Sequence, residues 1–225
     1  MRGALGEVGA TLVGGHTEVT AAVNQPVIVG QMLGIAEDGR FLTTGGARPR
    51  DVVVQVGAVP IEGAAVLAAE AAGALGSLSS EVVRAATRGV LDPGISVVDA
   101  ALAAAGLGAT AMHDPTEGGL ASGLHEMAVA AGVAVRVERA AVLWFEPGLA
   151  VCRALGADPW ATLASGALIA TFPPDALADA VASLSDQGRP VASIGVVEPG
   201  AGVRDTTGAA IPWPERDEVA RILGT

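Results

Sequence analysis

The run Met112-His-Asp-Pro-Thr-Glu-Gly-Gly-Leu120 sets an acid, a turn-forming proline, a hydroxyl, a second acid and two glycines directly before a helix-compatible stretch. Leu120 to Ala131 carries apolar residues at helical spacing and stops at Gly132, so the loop delivers Asp114 and Thr116 to a helix N-terminus. Backbone N–H groups without intrahelical partners, together with the positive end of the helix dipole, favour a phosphate or a metal-bridged phosphate there. The same residues also suit a plain cap, in which Asp114 or Thr116 accepts a helix N–H. A second polar cluster, Gly14-Gly-His-Thr-Glu-Val-Thr20, has the same mixture of glycine, hydroxyl, imidazole and carboxylate. His16 and Glu18 point the same way if that segment is extended; alternatively His16 and Thr17 satisfy backbone groups in a turn.

The elements around these clusters alternate. Residues 26–35 and 51–56 are β-branched and apolar enough for strands, with Glu37-Asp38-Gly39-Arg40 as the turn after the first. Helices are expected from Glu62 to Ala74, from Ser79-Ser80-Glu81 through Ala86, from Ser96 to Gly106, and over 120–131, 147–155 and 174–185. Asp92-Pro93-Gly94 breaks the chain between two of them. Further strands are expected at 109–113, 133–137, 165–171 and 190–197. Glycine and proline every few positions over 199–214 suggest a segment trailing over the surface. The order predicts an α/β or α+β sandwich, a sheet with helices packed on it.

Composition bounds the chemistry. The 225 residues are 51% hydrophobic and 3% aromatic, so alanine, valine and leucine fill the core of one large or two small domains. No apolar stretch approaches the roughly 18 residues of a membrane span, and no secretory h-region follows the N-terminus, which points to a cytoplasmic protein without a membrane partner. All 13 basic residues are arginine, which removes Walker-type lysine and Schiff-base chemistry. A net charge of −11 without basic runs argues against nucleic acid. Cys152 is the single cysteine; between Pro147 and Gly156 it reads as a small buried thiol on a short helix. His125 reads as a core or surface histidine, and Trp144, Phe145 and Trp213 as packing residues.

Five segments in order, Gly14-Gly-His-Thr-Glu-Val-Thr20, Gln25 to Gly34, Arg48-Pro-Arg-Asp-Val-Val-Val54, Ile61 to Ala68 and Met112 to Ala121, resemble the PurM-like (aminoimidazole ribonucleotide synthetase) superfamily, and within it the HypE-like, AIR synthase-related proteins. The resemblance implies a C-terminal domain with a mixed, mostly antiparallel, ferredoxin-like sheet at residues 47–225, preceded at 1–46 by a remnant of an ATP-binding domain. It implies ATP and Mg2+ as cofactors, a homodimer, and a small-molecule or protein-tail substrate. The chemistry implied is phosphoryl-transfer activation of an amide- or carbonyl-type oxygen, carried by positioning and charge neutralisation. Asp114 and Glu18 are then the catalytic, metal-holding carboxylates. Gly14, Gly15, His16, Thr17, Thr116, Gly118 and Gly119 contact the nucleotide phosphates, the glycines letting the backbone come close. The alternative is a dimerising or ligand-binding module without catalysis.

The chain departs from that pattern in places. His16 stands where HypE-type proteins carry aspartate and synthetases glutamate, and neutral imidazole is a poor magnesium ligand; Glu18 compensates from two residues on. Glu117 and His113 each replace an arginine frequent in HypE proteins, which weakens a carbamoyl or phosphate contact. HypE proteins end in a cysteine that carries the carbamoyl group, whereas this sequence ends Arg221-Ile-Leu-Gly-Thr225. The expectation is therefore a HypE-like, AIR synthase-related protein of unassigned substrate, not competent alone.

Overall fold

The computed structural model describes residues 2–36, 39 and 41–224. It divides into two compact units, Met1–Phe41 and Leu42–Thr225. In the first, Arg2–Glu7 (α1) is the only α-helix or strand among the described residues. The strand expected at 26–35 does not form, because a strand needs a hydrogen-bonded neighbour and no strand among the described residues pairs with it. Its side chains are exposed instead, Val29 at 90% and Ile35 at 96%. The turn expected at 37–40 lies, apart from Gly39, outside the described residues.

The second unit is built on six strands: Val52–Val56 (β1), Ala111–His113 (β2), Ala134–Val137 (β3), Leu168–Phe172 (β4), Val191–Glu198 (β5) and Gly202–Asp205 (β6). Their order is β2-β4-β1-β5-β3-β6. All pairs are antiparallel except β3 with β6, so the mixed, mostly antiparallel sheet implied by the resemblance is present. Both faces of its centre are covered, and β1 and β4 accordingly read as nearly continuous apolar runs, broken only by the buried Gln55 and Thr171. Val53 and Ile169 face Leu120, Leu124 and Met127 of the helix Gly119–Ala131 (α5). Val54, Val56, Leu168 and Phe172 turn to the other face, against Ala100 and Ala104 of Val98–Gly106 (α4) and Ala180 and Leu184 of Leu177–Ser185 (α7). The period-two alternation of side chains along each strand produces this partition.

A separate helical cluster joins Glu62–Glu70 (α2), Ser80–Arg88 (α3), Glu146–Leu155 (α6) and Glu218–Leu223 (α8) through Leu67, Ala86, Val151 and Cys152, with Val219, Ile222 and Leu223 packed on them. Ser79 caps α3 by accepting the Val82 N–H, as its position in the sequence suggested. Cys152 is 1% exposed, and burial pushes its thiol pKa up, which suits an inert packing role. Among the described residues no single helix is long and apolar enough to cross a membrane.

Residues 199–214 trail over the surface only in part: 206–210, 212 and 213 are exposed, but 202–205 form a strand. Gly200 and Gly202, both at positive φ, turn the chain back so that β6 lies beside β3, with Val203 and Asp205 buried. Ile211, 2% exposed, returns to the sheet core.

Candidate functional site

β2 is an edge strand, and it hands the chain directly to the loop at 114–118 and then to α5. His113, at the end of β2, is fixed from both ring nitrogens: Nδ1 lies 3.3 Å from Thr44 Oγ1 and Nε2 lies 2.6 Å from Glu126 Oε2 on α5. The next residue, Asp114, is exposed and makes no hydrogen bond or ion pair among the described residues. Pro115 behind it is buried. Thr116 contributes its carbonyl, which accepts the N–H of Gly119 at 2.9 Å and of Ala164 at 3.3 Å. Gly118 and Gly119 both stand at positive φ, +75° and +64°, so the loop enters the helix through two left-handed residues that glycine adopts without strain.

Neither Asp114 nor Thr116 caps α5, whose N-cap is Gly118. The carboxylate that sits there is Asp217, from the N-cap of α8. Gly118 N–H donates to its Oδ2 at 2.7 Å, and Val219 N–H donates to its Oδ1 at 2.7 Å. One side chain thus caps two helices at once. Trp160 O accepts the Ala121 N–H at 2.9 Å, so most of the first donors of α5 are satisfied within the chain. Burial, with the Glu117 charge adding to it, holds the Asp217 pKa above the ordinary aspartate value, although the N–H groups of Gly118, Val219 and Leu163 pull it down. The space beside Gly119 is likewise filled from within: a Cβ there would lie 2.6 Å from Trp160 O and from Thr162 O. Both glycines are therefore required by the chain's own packing.

Sequence reasoning missed Asp217. An aspartate before Glu218-Val219 is a recognisable cap signal, yet its second partner lies 99 residues away. His125 is a structural residue as expected: Nε2 is 2.8 Å from Ile211 O, and its ring stacks on Trp213 at 5.1 Å. Trp144 packs edge-on against Trp160 at 5.4 Å.

In the first unit, Gly14, Gly15, His16, Thr17 and Glu18 are all exposed in a stretch without regular structure. None of their side chains makes a hydrogen bond among the described residues, so His16 and Thr17 do not serve as turn caps. Among the described residues no three His, Cys, Asp or Glu side chains converge to hold a metal ion.

Two ion pairs engage β6, Arg139 with Asp205 and Arg204 with Glu198. Asp205 receives Arg139 Nε at 2.7 Å and the Thr207 hydroxyl at 2.6 Å, and its carboxyl is pulled down to about 2 by the Thr207 hydroxyl, then by Arg139. A depressed folded pKa contributes stability above the unfolded value near 3.8, and that contribution is lost as pH falls through about 2. The melting temperature of the protein is thus expected to drop more steeply between pH 4 and 2 than that of Asp205→Asn. Parallel curves for the two in calorimetry would show that the ion pair carries no weight.

The family model described as AIR synthase related protein, C-terminal domain, matches residues 48–207. The carbamoyl dehydratase HypE of Rhodobacter capsulatus is 31% identical over 189 residues, covering 78% of this chain and 50% of the relative. That of Azotobacter vinelandii is 30% identical over 201 residues, covering 88% and 56%. The chain thus spans about half the length of these relatives. Among solved structures, HypE of E. coli is similar with a TM-score of 0.62 at 22% identity, over 80% of this chain and 55% of that one. The thiamine monophosphate kinase of Aquifex aeolicus gives 0.58 at 21% identity, over 77% and 55%. At these identities the two structures share the fold.

Proposed function

Because the chain belongs to the AIR synthase related proteins through their C-terminal domain, we propose that it is a HypE-like part of an enzyme that uses ATP to activate an amide- or carbonyl-type oxygen by phosphoryl transfer. The observation that carries this reading is Asp114, a carboxylate without a partner, exposed ahead of α5 inside the region matched by the family model. Magnesium on a nucleotide needs only one or two protein carboxylates, its other ligands being phosphates and water. An exposed, unpaired Asp114 fits that demand, and so does Glu18 in its own unit. ATP would supply the phosphoryl group and Mg2+ would offset its charge. The chain's part would be positioning: in the second unit Asp114 would hold the charged end with Thr116 beside it, and in the first unit Glu18, with Gly14, Gly15, His16 and Thr17, is the corresponding set of candidates. The N–H of Gly118 is committed to Asp217 and does not fit a phosphate while that bond stands; Gly119 serves the turn. The reading includes a cytoplasmic homodimer acting on a small molecule or a protein tail.

The test uses the chain fused to the N-terminal half of the Rhodobacter capsulatus relative. Asp114→Asn and Glu18→Gln are each expected to weaken MgATP binding at least tenfold in calorimetry while changing stability by less than about 0.5 kcal/mol, as exposed substitutions do. Unchanged affinity in both variants sinks the reading. A second reading, a dimerising or ligand-binding module without catalysis, draws on the closed N-terminus of α5. Absence of MgATP binding by the fusion would favour it.

A further inference from the structure

At the opposite end of β2 from Asp114, where β1 and β2 begin and β4 ends, lies a cleft of about 420 Å³. Its wall carries two guanidiniums, Arg48 and Arg50, with Thr110, Pro173 and Pro174 beside them and Asp175 also in the lining. Both arginines are exposed, and neither side chain has a hydrogen-bond or ion-pair partner among the described residues. Arg136, Arg139, Arg204 and Arg221, by contrast, each bind an acid. Arg84, Arg88 and Arg153 likewise lack such a partner among the described residues, so what sets Arg48 and Arg50 apart is that both line one cleft.

Of the two acids in the lining, Asp51 is engaged by the turn and not by a guanidinium. Asp51 is 4% exposed, and its Oδ2 already accepts the Arg48 N–H at 2.9 Å and the Thr110 hydroxyl at 2.6 Å. It braces the turn from within. The turn itself is fixed: Asp51 N–H donates to Arg48 O at 3.0 Å, and Arg50 N–H donates to Val197 O at 2.8 Å. Pro49 is the second residue of this four-residue turn and Arg50 the third, at φ +84°. That third position belongs to glycine or asparagine by preference. Arg50 is the one non-glycine residue at positive φ among those described. A long cation thus occupies a strained backbone position where glycine would be relaxed, and strain of this kind gathers at ligand sites.

We propose that this cleft binds the phosphate group of a small organic phosphate. The two guanidiniums flank a dianion, each able to offer paired N–H donors in a plane, and the proline walls suit the organic part. The cleft volume falls in the range of small-molecule sites. Asp51 and Asp175 match the two arginines in number, so what draws the anion is the pair of unpartnered guanidiniums and not an excess of positive charge on the wall. The site is separate from the loop at 114–118 and does not depend on nucleotide binding there.

Calorimetry of the 225-residue chain at low ionic strength, with phenyl phosphate and with inorganic phosphate as probes, tests this. Saturable binding of phenyl phosphate is expected, with inorganic phosphate weaker because it leaves the proline walls empty. Arg48→Gln and Arg50→Gly should each weaken phenyl phosphate at least tenfold, and Asp175→Asn should tighten it about twofold. Arg50→Gly should melt no lower than the parent, since glycine takes up φ +84° without strain, so lost binding in that variant is not lost folding. No saturable binding of either probe, or equal affinity in parent and both arginine variants, overturns the proposal. Equal affinity for the two probes overturns the organic-phosphate assignment.

Discussion

Gly119→Ala is expected to destabilise the second unit by about 3 kcal/mol, although it adds a single methyl group. The methyl group would enter a left-handed position, which costs roughly 1–2 kcal/mol for a residue with a Cβ. It would also meet Trp160 O, Thr162 O and Thr162 N at 2.6, 2.6 and 2.9 Å. These are backbone atoms that a rotamer change cannot move, and overpacking of this kind costs about 1–3 kcal/mol. Gly118→Ala meets the Ser122 hydroxyl, which can turn away, and the Ser122 Cβ at 2.8 Å, which moves only with the backbone, so a loss of about 2 kcal/mol is expected there. Urea unfolding of both variants distinguishes a packing glycine from a ligand-facing one. If Gly119 served only an approaching phosphate, its alanine variant would unfold at the same denaturant concentration as the parent.

Asp217→Ala is expected to cost about 2–3 kcal/mol. The substitution removes the caps of α5 and α8 together, each worth about 1 kcal/mol, and strands the part-buried N–H of Gly118. Asp217→Asn keeps one acceptor oxygen and should recover about half of the loss. The pH dependence carries a sign. Because the folded pKa of Asp217 is raised, its contribution is fully present below the unfolded value near 3.8 and is lost as pH rises through the folded value. The deficit of Asp217→Ala relative to the parent should therefore shrink on going from pH 3.5 to 7. A deficit that grows over that range would mean that the carboxylate is better satisfied than its burial implies.

The elements most legible in the sequence are those whose local signals agree with their tertiary surroundings. α5 shows helical spacing and stops at Gly132, which takes the left-handed conformation that the spacing anticipates. Val52–Val56 and Leu168–Phe172 are largely apolar, broken only by the buried Gln55 and Thr171, because both of their faces are covered. Residues 26–35 are also rich in Val, Ile, Leu and Met but have no neighbour to bond to among the described residues, and composition does not reveal whether a ladder exists. β6 escaped notice for the opposite reason: four residues with glycine first and arginine third carry little strand signal, and only the burial of Val203 and Asp205 defines it. At the candidate site, the position of Asp114 ahead of a helix was readable. The identity of the capping group was not, because it depends on a contact between residues far apart in the chain.

The double cap has a consequence for the nascent chain. Translation delivers α5 first and Asp217 99 residues later, a delay of roughly 5–20 s at ordinary elongation rates. Throughout that interval the ribosome-bound chain has the body of α5 but not the carboxylate that completes its first turn. The start of α5 therefore becomes native only once α8 has emerged, and a pulse of protease during synthesis should find the 114–118 loop open long after β1 has emerged.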